Sequence, residues 1–137
     1  MDQLTVTAVV SGVHEVTRFV GARLDGLGCS ERVRVQVNVA IDEIFSNIAR
    51  YAYNPETGPA TVRVEVEENP LSVIITFIDR GVPFDPLAAD IPDTTVLPKE
   101  KRPVGGLGLF LVKQIMDKVS YQYVGNQNIL TLEKNIK

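Results

Sequence analysis

Between Ser30 and Tyr51 apolar residues recur at helical spacing over five turns. Val33, Val37, Ala40, Ile41, Ile44, Phe45 and Ile48 fall on one stripe. Ser30 is placed to cap the helix, and Glu31 puts a carboxylate in its first turn, where the helix dipole favours one. The run must stop before Asn54-Pro55, because proline disfavours helix at the preceding residue. A helix with so wide an apolar face has to be covered by another layer of structure.

The remaining patterns supply that layer. Leu4, Val6, Ala8 and Val10 alternate with their neighbours and predict a first strand, broken at Ser11-Gly12. Val13, Val16, Phe19, Val20, Leu24 and Leu27 predict a helix ended by Gly26-Leu27-Gly28. After the turn at residues 54–59, Val62, Val64 and Val66 alternate with polar residues, as in a half-buried strand. Asn69-Pro70 turns the chain into Leu71–Ile78, nearly all apolar, which predicts a central strand buried on both faces. Gly105-Gly106-Leu107-Gly108 opens an apolar helix. Val119–Val124 and Ile129–Glu133 predict a second hairpin around Gly125-Asn126-Gln127-Asn128. The order βα-α-ββ-α-ββ predicts an α+β fold: a two-layer α/β sandwich with a mixed, mostly antiparallel sheet and helices on one face.

Composition removes several function classes. The chain has 137 residues, with 14 Lys+Arg against 17 Asp+Glu and a net charge of −3. That balance opposes nucleic-acid binding, which needs a basic footprint. One cysteine, Cys29, and one histidine, His14, leave no internal disulfide, cysteine-based zinc site or histidine triad. No apolar run approaches the ~18 residues of a membrane span. No secretory leader is recognisable at the start, so the expected location is cytoplasmic.

Three places hold residues suited to chemistry. Glu43 and Asn47 are four apart, hence on one helix face beside the apolar stripe. A carboxylate and an amide oxygen there suit a hard cation such as Mg²⁺ and a nucleophile to be oriented. Taken alone, this spacing is more often a solvated helix surface. Asp79 ends the most buried strand. It opens Asp79-Arg80-Gly81-Val82-Pro83-Phe84-Asp85, where Gly81 can adopt positive φ and let backbone approach a ligand, and Pro83 stiffens the loop. Gly105, Gly106, Leu107, Gly108 and Leu109 precede an apolar helix and would leave backbone N–H groups open to an anion. Residues 81–104, with five of the eight prolines, carry no sustained period. A loop that long is usually functional or disordered.

Together these boxes resemble the ATP-binding fold of the gyrase, histidine-kinase and mismatch-repair ATPase superfamily. Within it the chain is similar to the small stand-alone anti-sigma-factor serine-protein kinases of bacteria. The resemblance runs from the first strand to Thr131-Leu132 and implies one ATP-binding domain over residues 1–137, with a mobile ATP lid at about 85–104. It implies ATP and Mg²⁺ as ligands, Asn47 as the Mg²⁺ ligand and Glu43 as general base toward a substrate serine. Asp79 matches the aspartate that receives the adenine amino group, with Gly81 beside the ring. Thr131 matches a threonine near adenine, and Gly105 to Leu109 match the box around the phosphates. Pro83 replaces a glycine of the wider superfamily and is tolerated in the anti-sigma group. Arg50, seven residues after Glu43, could reach a phosphate.

The function so implied is a serine/threonine protein kinase. It would phosphorylate a small antagonist protein and bind a sigma factor or similar regulator, and residues 1–30 would help form a homodimer. A nucleotide-gated binding module without kinase activity is the alternative. A histidine-kinase catalytic domain is disfavoured, since no second helical hairpin carries a phosphoacceptor histidine.

Overall fold

The structure is a computed structural model that describes residues 2–83 and 106–136, and of residues 106–109 only the backbone course. Strand β1 spans Asp2–Thr7 and is followed by a 3₁₀ turn at Val10–Gly12. Helices α1 and α2 span Val13–Asp25 and Glu31–Tyr51. Strands β2 and β3 span Pro59–Glu67 and Ser72–Asp79. Helix α3 spans Gly106–Ile115, and β4 and β5 span Lys118–Val124 and Gln127–Asn135. The strands form one sheet in the order β1-β2-β3-β5-β4. All four ladders between them are antiparallel. This is the expected two-layer α+β sandwich, with a sheet more uniformly antiparallel than the mixed one expected.

Helix α2 forms where its sequence requires. Ser30 Oγ accepts the Val33 N–H at 3.2 Å, which satisfies one of the donors a helix start leaves open. Val37, Ala40, Ile41 and Phe45 are fully buried. They meet the inward face of the sheet, where Val62 and Val64 of β2 pair with Phe77 and Ile75 of β3. Helix α1 contributes Val16, Val20 and Leu24 to the same core. Arg34 ties the two helices by reaching Asp25 at 2.6 Å.

Two strand expectations change. The first strand ends at Thr7, three residues early. Its last partner is Pro59, which has no N–H to give, and the Ala8 N–H goes instead to Gly58 O at 2.8 Å. Strand β3 is buried along its length on the core face, through Val73, Ile75 and Phe77. On its other face Ser72 and Ile78 are buried while Ile74 and Thr76 are half-buried, so burial on that side is complete only toward the strand's two ends.

Candidate functional site

Side chains alternate across a strand, so the face of β3 that sends Val73, Ile75 and Phe77 into the core also carries Asp79 inward. Asp79 is only 6% exposed. A buried carboxylate needs donors, and two are present. Its Oδ1 accepts the Gly81 N–H at 2.8 Å and Asn128 Nδ2 at 2.9 Å. Asp79 Oδ2 accepts no hydrogen bond from the described residues.

Asp79 lines a pocket with Phe77 and, from the next strands, Asn128, Leu130 and Tyr121. Helix α2 closes the other side with Ile44, Asn47, Ile48 and Tyr51, which recur at i, i+3, i+4 and i+7 and so share one face. The walls are largely apolar, with a few polar atoms at fixed places, as ligand pockets commonly are.

Asn47 is 8% exposed, and its Oδ1 is buried with no hydrogen-bond partner among the described residues. Its Nδ2 donates to Glu43 Oε1 at 3.4 Å. Burial pushes the Glu43 carboxyl above its ordinary value. The Asn47 hydrogen bond opposes that rise, the Asp42 charge adds to it, and the Arg50 charge opposes it. Arg50 is exposed in the last turn of α2 and does not line the pocket.

Gly81 is required for a reason the sequence did not suggest. Among the described residues the glycines at positive φ are Gly28 and Gly125, so Gly81 does not use that freedom. A Cβ at Gly81 would instead lie 2.1 Å from the Ala52 carbonyl oxygen and 2.6 Å from Ala52 Cα. The close neighbour within the chain is the end of α2, and the contact is fastened by the Val82 N–H to Ala52 O at 2.9 Å. Tyr53 fixes the other side of this loop. Its hydroxyl accepts the Arg80 N–H at 2.8 Å and donates to Pro59 O at 2.6 Å. Burial pushes the phenol above its ordinary value. Pro83 is exposed and does not line the pocket.

Thr131 is not brought to the pocket. It pairs with Thr76 and Ser120, while its neighbours Leu130 and Leu132 are core residues, so it faces away from the helices. The residue opposite Asp79 is Asn128. The β4–β5 turn is only Gly125-Asn126, with Val124 paired to Gln127 and both central residues at positive φ, 61° and 62°. That is the two-residue hairpin turn which Gly and Asn favour. A longer turn was expected, and it would have left Asn128 outside the strand. Recognising Gly125-Asn126 as a two-residue turn would have found it.

Gly106, Leu107, Gly108 and Leu109 form the first turn of α3. Gly105, Phe84 and the expected lid at about 85–104 lie outside the described residues. His14 is exposed on α1, and Cys29 is a half-buried free thiol. The described residues hold no cluster of three or more His, Cys, Asp or Glu able to bind a metal, and no described helix is long and apolar enough to cross a membrane.

Comparison with known proteins agrees with this architecture. The model of the histidine kinase-like ATPase domain matches residues 6–134. The serine/threonine-protein kinase BtrW of Bordetella bronchiseptica is 31% identical over 103 residues, covering 75% of this chain and 71% of that protein. The serine-protein kinase RsbW of Bacillus cereus is 30% identical over 97 residues, covering 69% of this chain and 59% of that one. Among solved structures, the histidine kinase domain of the Erythrobacter litoralis blue-light activated histidine kinase superposes with a TM-score of 0.57 at 12% identity. It covers 93% of this chain and 60% of that chain, a likeness of fold alone. The chain therefore belongs to the histidine kinase-like ATPase domain family, and within it to the anti-sigma-factor type of serine-protein kinase.

Proposed function

We propose that the pocket binds ATP with Mg²⁺ and that the chain transfers the terminal phosphoryl group to a serine or threonine of a small antagonist protein. The observation that carries this is the orphaned Asn47 Oδ1, buried in the pocket wall one helical turn from Glu43. An amide oxygen left without a donor costs stability. It suits a hard cation that takes one or two oxygens from protein and the rest from phosphate and water. Mg²⁺ bound there supplies neutralisation of the phosphate charge, the main demand of phosphoryl transfer.

The chain's own groups account for the other roles. Asp79 Oδ2 accepts a hydrogen bond from the adenine amino group, and Phe77, Ile44 and Leu130 give the ring an apolar bed. Glu43 Oε1 is occupied by Asn47, so Oε2 takes the proton of the attacking hydroxyl as its oxygen bonds to the terminal phosphorus and the bond to ADP breaks. Its raised pKa favours that role, since a base works best with a pKa nearer the working pH. The backbone at Gly105 to Leu109 supplies N–H donors to the phosphates, with Arg50 near them. In this reading the chain acts as one ATP-binding domain, with residues 85–104 covering the nucleotide. Its partners are the antagonist and a sigma factor or similar regulator, and residues 1–30 pair two copies. The partners and the pairing rest on the family resemblance.

The test is phosphate transfer from labelled ATP to a candidate antagonist, with Glu43→Ala beside the wild type. Transfer lost in the variant while ATP still binds supports the kinase. Equal transfer by both proteins excludes Glu43 as the base. ATP binding with no transfer to any antagonist leaves a nucleotide-gated binding module.

A further inference from the structure

Asn128 does more than accompany Asp79. Its Nδ2 lies 2.9 Å from Asp79 Oδ1, 2.9 Å from Val82 O and 3.4 Å from Gly81 O. All three are acceptors, so the amide nitrogen must face them; the flipped amide would set oxygen against oxygen. The other end is fixed as well, because the Tyr121 hydroxyl donates to Asn128 Oδ1. Asn128 is 7% exposed and sits directly across the ladder from Asp79.

This arrangement decides how much of Asp79 a base can use. A carboxylate oxygen has two in-plane lone pairs. Both on Oδ1 are taken, one by the Gly81 N–H and one by Asn128. Oδ2 accepts nothing from the described residues and is left to the pocket. A purine whose edge offers one amino donor beside a ring acceptor, as adenine does, needs one carboxylate oxygen. A purine with two adjacent donors, as guanine has at N1 and N2, binds a carboxylate best through both oxygens, and it also turns a carbonyl toward the site.

We infer that Asn128, held by Tyr121, is the positioning residue that sets base selectivity: by occupying Asp79 Oδ1 it leaves a one-oxygen reader that accepts adenine and rejects guanine. The inference rests on the proposed placement of adenine at Asp79. Asn128 touches no base in this scheme and acts through Asp79.

The experiment is calorimetric titration of the whole chain with MgADP and MgGDP, comparing wild type, Asn128→Leu and Tyr121→Phe. The readout is the ratio of the two affinities, which a general loosening of the fold would not move. The wild type should prefer ADP. Asn128→Leu should narrow the preference by roughly tenfold or more, the equivalent of one hydrogen bond to a charged group. Tyr121→Phe keeps the ring and frees the amide to turn, so it should narrow the preference by a smaller factor. It also carries the test should Asn128→Leu fail to fold.

An unchanged ratio with both affinities reduced alike would overturn the inference and leave adenine at Asp79. Equal binding of the two nucleotides by the wild type would also overturn it. A wild type that binds neither nucleotide would remove the nucleotide site itself, and the inference with it.

Discussion

Replacing Gly81 by alanine tests whether the loop after β3 is built against the end of α2. The new Cβ would meet Ala52 O at 2.1 Å, the carbonyl carbon at 2.5 Å and Cα at 2.6 Å. All three are backbone atoms, so no side chain can swing away. The loop must lift, breaking the 2.9 Å bond from the Val82 N–H to Ala52 O and disturbing the Gly81 N–H that holds Asp79. Overpacking of this kind costs about 1–3 kcal/mol, and the lost hydrogen bond adds about 1 kcal/mol. Removing glycine's freedom from the unfolded chain returns somewhat under about 1 kcal/mol. The net loss is about 2 kcal/mol, a fall of about 7 °C in melting midpoint for a domain of this size. Gly21→Ala is the control. Gly21 lies inside α1, and its Cβ would meet only Arg34 Nη1, at an ordinary 3.6 Å. Alanine there should raise stability by about 1 kcal/mol. Melting followed by far-UV circular dichroism, with and without MgADP, reads both variants. A Gly81→Ala protein that melts with the wild type and keeps its nucleotide-induced shift would refute the contact with Ala52 and the loop geometry built on it.

Two further outcomes follow from α2. Asn47→Leu removes a buried oxygen that has no partner among the described residues, so the variant should melt at or above the wild-type midpoint while losing the stabilisation MgATP confers; a fall of more than about 5 °C would mean that the amide oxygen has a structural partner. Glu43→Gln should change how stability depends on pH. The folded protein holds the Glu43 proton more tightly than the unfolded chain does, because its value is raised from 4.5. The ionised form therefore costs stability as pH rises from that value through the raised one, and the full cost persists above it. The Gln variant should melt higher than wild type at pH 7, and the difference should vanish below about pH 4. A difference of the same size at both pH values would show that burial of the charge is not its source.

The sequence made the layers legible because their signals are periodic and local. The α2 stripe, the Ser30 cap and the alternation of Val62 and Val64 each follow from spacing within one element, and the structure keeps them. What the sequence hid were facts of register. Thr131, which the resemblance sets near adenine, lies on the last strand between the core residues Leu130 and Leu132 and so faces away from the helices. Asn128 acquires its role only by standing opposite Asp79 across a ladder that joins residues 49 positions apart. The need for glycine at 81 is equally non-local, since the atoms that exclude a side chain belong to Ala52.

The two residues of α2 assigned to chemistry are those that serve the fold worst. Val37, Ala40, Ile41, Ile44 and Phe45 bury apolar surface against the sheet. Asn47 continues that face yet buries an oxygen with no donor among the described residues, and Glu43, one turn earlier, carries a carboxylate into surroundings that penalise its charge. A helix selected for stability alone would place apolar side chains at both positions. Local rules broken without structural compensation mark functional sites, and here the violations fall on one helix face beside a pocket whose opposite wall holds the open oxygen of Asp79. The same helix ends at Ala52, against which Gly81 and Val82 are seated. One rigid element therefore sets both ends of the pocket, those that the proposed function gives to the phosphates and to the base. Asn47→Leu and Gly81→Ala should accordingly both weaken nucleotide binding while moving the melting temperature in opposite directions, a pairing that a loss of folding alone would not produce.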